Sequence, residues 1–216
     1  NMLETDRYLR YHFRNVKISI DTIKFTFIPE EIYSEEYFDD YIKFIRPDLR
    51  TDVCVKEIKT AQIKNLFAID TELQKELSLR FPKPVFFNQA ISFIEGMFKI
   101  SHETQEQLFL NIQPTSFEAG FLSHGKLSFY NFFDCHNADE FNYFLLNIIK
   151  QFQLQRSTTR IFLFGQINKN DDFYDRVQKY FNLVFFADSK QLIKQPEVFN
   201  STPSHRYFSL ISLNLC

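Results

Sequence analysis

Between Leu108 and Asp188 the apolar pattern changes period in a definite order, and that order limits the fold more than any other feature of the chain. Leu108-Phe109-Leu110-Asn111-Ile112 is a short apolar run followed by turn-prone Gln113-Pro114-Thr115. Ser116 to Leu122 resumes as a strand. Ser123-His124-Gly125-Lys126 predicts a tight turn, with glycine free to take a positive φ. Leu127, Phe129, Asn131 and Phe133 then alternate as a third strand. These three segments predict an antiparallel meander. Phe141, Phe144, Leu145, Ile148, Ile149 and Phe152 next form one helical stripe. Asn137 or Asp139 can cap that helix, and Asp139 and Glu140 suit its positive end. Ile161-Phe162-Leu163-Phe164 is apolar on both faces, as buried parallel strands are, and Gly165 ends it. Asp171 or Asp172 opens a helix carrying Phe173, Val177, Tyr180 and Phe181. Leu183-Val184-Phe185-Phe186 reads as another buried strand. A polar stretch from Ser189 to Ser204 leads to an apolar tail, Tyr207 to Leu215. The order is β-β-β-α-β-α-β with a closing helix, which places the chain in the α/β class with a mixed sheet.

The first half can be read in the same order. Tyr8 to Phe13, Val16 to Ile20 and Lys24 to Ile28 make three predicted strands, with Asp21-Thr22 as a hairpin turn. Ser34 caps a helix bearing Tyr37, Phe38, Tyr41, Ile42 and Ile45, which Pro47 terminates. A strand from Val53 runs to Ile58. Asp70 or Thr71 opens a helix with Leu73, Leu77 and Phe81. Val85-Phe86-Phe87 is a strand, and Gln89 to Ile100 a helix. The letters do not repeat between halves, but the element order does, which is the mark of a topological duplication.

Composition excludes several classes. The chain has 216 residues, 44% of them hydrophobic, so a packed core is expected and disorder is not. Its net charge of −2 argues against binding nucleic acid or a membrane surface by bulk charge. Phe is in excess at 28 residues, and Gly is scarce at 4, which removes most phosphate-cradling loops. Cys54, Cys135 and Cys216 are widely spaced without a CxxC, so neither a disulfide framework nor a zinc site is expected. No apolar run approaches the ~18 residues of a membrane span, and no signal peptide opens the chain. A cytoplasmic location without membrane insertion is the expectation. Asn200-Ser201-Thr202 matches a glycosylation triplet, without meaning in that compartment.

The run of three strands followed by alternating helices and strands, read twice, resembles the actin-like ATPase fold. That fold consists of duplicated ribonuclease H-like domains facing a nucleotide cleft, which the resemblance places at residues 1–104 and 105–216. The similarity is nearest to the bacterial pilus-assembly and cell-division branch. There, an apolar strand ends in Asp-x-Gly, followed by Thr or Ser, a strand, a Gly turn and a strand. Leu108 to Gln113, Ser116, Gly125-Lys126 and Leu127 to Phe133 match that pattern. The branch's later strand ending in Gly-Gly matches Ile161 to Gln166. The stretch from Gly125 through Gly165, with Tyr130-Asn131-Phe132-Phe133, also resembles an uncharacterised bacterial family, a domain of unknown function with this fold. The resemblance implies a cleft at Asn111, Gln113, Ser116, Gly165 and Gln166. Active members hold a carboxylate at the first position, which orients the nucleotide's metal through water; here Asn111 is neutral. Gln113 stands where a glycine lets phosphate approach backbone amides. Gln166 replaces the second glycine of the pair that packs on adenosine. Residues 1–95 contain no glycine at all.

Other constellations read as structure. Asp134-Cys135-His136 suggests a dyad, but neighbours in extended chain point to opposite sides, and a strand end entering a helix cap explains them. Five scattered histidines (His12, His102, His124, His136, His205) show no metal-ligand spacing. Glu30-Glu31, Glu35-Glu36 and Asp39-Asp40 could serve a metal nuclease, but a solvated helix face accounts for them. The aromatic stripes read as core, not as a base-stacking platform. The functional expectation is a non-catalytic, actin-like interaction or scaffold module with a degenerate nucleotide site. It carries no catalytic residue, metal or cofactor, and its protein partner is unidentified. The alternative is a divergent ATP-binding protein or ATPase using ATP with Mg. Association as a homodimer is left open.

Overall fold

A computed structural model describes residues 5–45, 48–102, 104–194 and 201–216. Pro47 and Asn200 lie outside the described residues. The chain divides into two compact units, residues 1–91 and 92–216. The division falls within a helix, whereas the sequence reading drew its boundary in the loop behind that helix.

The first unit holds β1 (Lys17–Ile20), β2 (Phe25–Pro29), α1 (Phe38–Ile45), β3 (Thr51–Ile58), β4 (Ile63–Asp70), α2 (Thr71–Arg80) and β5 (Val85–Asn88). The helix α3 (Gln89–Ile100) begins in it. β1 pairs parallel to β5, while β2, β4 and β3 form an antiparallel sheet with β4 in the centre. Leu66, Phe67, Ala68 and Ile69 of β4 are buried, as befits a strand hydrogen-bonded on both sides. Asp70 caps α2 by accepting from the Leu73 amide at 2.8 Å.

Three expectations for this half are corrected. Tyr8 to Phe13 is not a strand. Asp6 Oδ1 accepts from the Tyr8 and Leu9 amides at 2.7 and 3.1 Å and winds the chain into a turn. β4 was not anticipated. Asp21-Thr22 does not close a hairpin, because β1 and β2 belong to different sheets. Gln89 holds that connection instead, donating to the Thr22 carbonyl at 3.0 Å and accepting from the Thr22 amide at 3.2 Å. The order is therefore β-β-α-β-β-α-β, not the one read from the sequence.

The second unit continues with β6 (Gln107–Ile112), β7 (Ser116–Ser123), β8 (Lys126–Asp134), α4 (Ala138–Phe152), β9 (Arg160–Gly165), α5 (Asp172–Tyr180), β10 (Leu183–Phe186) and α6 (Phe208–Ser212). These elements follow the order expected for this half. One mixed sheet has the order β10-β9-β6-β7-β8, with β6 central and parallel to β9. His124 and Gly125 both take positive φ (51° and 73°), the geometry of a two-residue hairpin whose twist suits the flanking strands. Asn137 caps α4 from its Oδ1 to the Asp139 and Glu140 amides, and Glu140 reaches back to the His136 amide at 2.8 Å. That reciprocal cap engages the His136 backbone, one of the two residues that suggested a dyad. The Cys135 thiol donates to the Asn137 carbonyl, and burial pushes its pKa up.

Leu108, Leu110, Ile112, Phe117 and Leu163 face a core closed by α4 and α5. On the other sheet face, Phe93 of α3 packs on Phe164 and Tyr130, and Phe164 on Phe208 of α6. Phe117 is fully buried, 4.7 Å from the Phe133 ring and 4.9 Å from Phe141 (centroids). Phe117→Ala should therefore cost about 3–5 kcal/mol in urea unfolding, from lost transfer energy plus the cavity. Tyr143→Ala on the exposed side of α4 should stay within about 0.5 kcal/mol.

Candidate functional site

β6 and β9 run parallel with Asn111 opposite Phe164 and Ile112 opposite Gly165. At Gly165 the strands come unusually close. Its φ is +87°, and a Cβ there would lie 2.2 Å from the Ile112 carbonyl oxygen and 2.5 Å from Asn111 Oδ1. Only glycine fits. The close approach lets the Gln166 amide donate to the Ile112 carbonyl at 2.7 Å. The Gly165 amide donates to the His205 carbonyl at 3.1 Å, which brings the C-terminal segment to the carboxyl ends of these two strands.

Asn111, Gln113 and Gln166 are brought together with Arg206, Tyr207, Ser209 and Leu210 around a cleft of about 170 Å³. A second cleft of about 150 Å³ adjoins it, lined by Gly165, Gln166, Ile167, Asn168, Pro203, His205 and Arg206. Ser116 lies outside both linings. Its carbonyl accepts from the Gln113 amide at 2.9 Å and so closes the turn between β6 and β7.

The polar groups at the cleft are engaged with one another. Asn111 is buried; its Nδ2 donates to Glu118 Oε2 at 2.6 Å, and its Oδ1 accepts from Gln113 Nε2 at 3.2 Å. Tyr130 donates from its hydroxyl to Glu118 Oε1. Glu118 is a buried acid in the centre of β7, and hydrogen bonds from two neighbouring strands compensate its desolvation. Sequence reasoning missed Glu118 and the C-terminal wall. A charged residue between Phe117 and Ala119 was the available signal for the first. Nothing local marked the second.

His205 is half-buried between the Ile167 carbonyl, 2.8 Å from its Nε2, and the Phe186 ring at 4.4 Å. Burial lowers its pKa below 6.5, the bond to Ile167 opposes that, and the nearby Arg206 charge adds to it. Among the described residues no group of His, Cys, Asp and Glu gathers where it could hold a metal ion, and no helix is long and apolar enough to cross a membrane.

Comparison with solved structures shows the fold that these elements build. A protein from Bacteroides thetaiotaomicron with an actin-like ATPase fold and unknown function superposes with a TM-score of 0.79. It is 20% identical, over 99% of this chain and 78% of that one. The PilM–PilN type IV pilus biogenesis complex contains a chain that superposes with a TM-score of 0.65 at 9% identity, over 94% of this chain and 80% of that one. The fold is that of the actin-like ATPases. The chain belongs to the family described as Protein of unknown function (DUF3822), whose model matches residues 1–184. No curated protein matches the sequence.

Two outcomes follow from this geometry. Asn111→Asp would place a second carboxylate about 2.6 Å from Glu118 and remove a donor. The variant should lose roughly 2 kcal/mol at neutral pH and recover part of it toward pH 5, where the pair can share a proton. Thermal unfolding across that range would read it. His205 titrates in the opposite sense to an ion-paired histidine. Its neutral form is favoured in the fold, so the stability it protects is present above the ordinary imidazole pKa of 6.5. That stability is lost as pH falls through the window below it. The melting temperature of His205→Gln should change less than that of the parent between about pH 7.5 and 5.

Proposed function

We propose that this protein is a non-catalytic interaction or scaffold module on an actin-like fold, its two halves descended from ribonuclease H-like domains. The observation that carries this reading is the Asn111 side chain, which donates to Glu118 and accepts from Gln113. At the position where the family resemblance implies a metal-orienting carboxylate, this chain has a neutral amide already bonded on both sides. Gln113 folds over it where a phosphate would need an open backbone. The donor set does not fit a magnesium nucleotide, since the nearest acid, Glu118, is itself buried and bonded. The clefts of about 170 and about 150 Å³ in this unit also fall below the ~300 Å³ at which small-molecule pockets begin. One structural neighbour is named as part of a complex with a partner protein, which favours partner binding as this chain's mode of action.

A divergent ATP-binding protein is the second reading, favoured by one observation. Arg206 stands at both clefts, where a cation can meet an anionic group. Calorimetric titration with magnesium ATP separates the two. The expected result is no saturable heat up to about 1 mM nucleotide, a ceiling equivalent to roughly 4 kcal/mol of binding. Micromolar binding that Arg206→Ala abolishes, in a variant that still melts cooperatively, overturns the first reading and establishes the second.

A further inference from the structure

The first unit carries two exposed surfaces of opposite charge, each with aromatic side chains among its ions. Arg7, Arg10 and Arg14 alternate with Tyr8, Tyr11 and Phe13 in the segment before β1, and Lys17 opens that strand. This segment is built rather than trailing. Asp6 caps its turn, Arg80 donates to the Leu9 carbonyl, and the Phe13 ring lies 6.3 Å from Phe81. Tyr8 and Tyr11 nevertheless remain 58% and 59% exposed, and the Arg7 guanidinium stacks 4.7 Å over Tyr8.

The second surface runs from the end of β2 into α1. Glu30, Glu31, Glu35, Glu36, Asp39 and Asp40 follow one another with Ile32 and Tyr37 exposed among them; Lys43 pairs with Asp40 at 2.5 Å, and exposed Phe44 follows it. Here too the backbone is fixed. The Glu30 amide donates to the Gln62 carbonyl at 2.9 Å, Tyr41 donates to the Ile32 carbonyl at 3.0 Å, and the Tyr33 and Tyr41 rings stack at 5.5 Å. A groove of about 470 Å³ opens beside it, lined by Pro29, Glu30, Glu31, Ala61, Gln62 and Ile63. It is large enough to take an aromatic or arginine side chain. Apolar rings held out to water among fixed charges mark contact surfaces more than solvated faces.

We propose that the two surfaces are halves of one contact between copies of this chain. The basic aromatic segment of one copy (Arg7 to Lys17) docks on the acidic surface (Glu30 to Asp40) of another, at the groove that Glu30 and Glu31 line. The charge complementarity commits the groove to this occupant, since the chain itself supplies a cationic, aromatic segment of the required kind. The contact joins two different surfaces, so it is heterologous and can continue from copy to copy instead of closing as a two-fold pair. It goes beyond the reading of the second unit's cleft and does not rest on it.

Sedimentation velocity of the full chain tests this. Self-association should appear at about 50 mM salt and weaken roughly tenfold or more by about 500 mM, as screened charge pairs require. Arg7→Glu with Arg14→Glu should sediment as a monomer, as should Glu31→Lys with Glu35→Lys. All four side chains are exposed, so both variants should keep the parent melting temperature. Mixed together, the two variants should associate again one to one, because each retains the surface that the other lacks and the reversed surfaces also match. A monomeric parent at low salt overturns the proposal. So does a mixture that stays monomeric, or a basic segment that binds single-stranded nucleic acid while the parent remains monomeric.

Discussion

The second unit depends on how closely β9 approaches β6 at one point. Gly165 sits where any Cβ would collide with the Ile112 carbonyl oxygen. Because that contact is tight, the chain leaving β9 bonds to β6 through the Gln166 amide, and the C-terminal segment can bond to the Gly165 amide. The clefts are a consequence. They are bounded below by the ends of β6 and β9 and on one side by residues 203–210, and the tightness that creates them also keeps them small.

The polar face of the sheet explains why an amide stands at position 111. Glu118 lies opposite Asn111 on the neighbouring strand, buried, with Tyr130 on its other side. Two carboxylates at hydrogen-bonding distance repel strongly in a low-dielectric interior, and one must hold a proton. Asn111 instead donates to Glu118 and offers its oxygen to Gln113, so the network satisfies itself from within. An acid at 111 would disturb the core as well as change the cleft. The neutral residue is tied to Glu118 energetically.

Much of the second unit was legible because its elements carry dense, unbroken periods. The stripe of α4 and the two-faced run of β9 each have a single physical explanation. The first unit was less legible for two reasons. β4 is a central strand whose run from Leu66 to Ile69 lacks alternation, so it carries no period-2 signal. Tyr8 to Phe13 has that alternation, but a strand also needs a partner edge, and the Asp6 side chain competes locally for the backbone. At the cleft, Asn111, Gln113 and Gln166 could be named from a local pattern. Arg206, Tyr207 and Ser209 could not, since they arrive from a distant segment through a backbone bond between Gly165 and His205.

The four glycines show what the fold asks of that residue. Gly125 turns a hairpin, and Gly165 permits the close strand approach. Gly96 makes room for α6: a Cβ there would lie 2.3 Å from Ser212 Oγ and 2.8 Å from the Phe208 ring. Gly120 makes room for α3, with Met97 Sδ at 2.4 Å and the Phe93 ring at 2.6 Å from the same virtual atom. Two of the four therefore accommodate the large side chains of the aromatic core. In a chain so rich in Phe, backbone must recede where rings cross it, and glycine serves packing before it serves any ligand. Phenylalanine excess and glycine scarcity are thus one design. The few glycines present are placed by a hairpin turn, by ring volume and by strand contact.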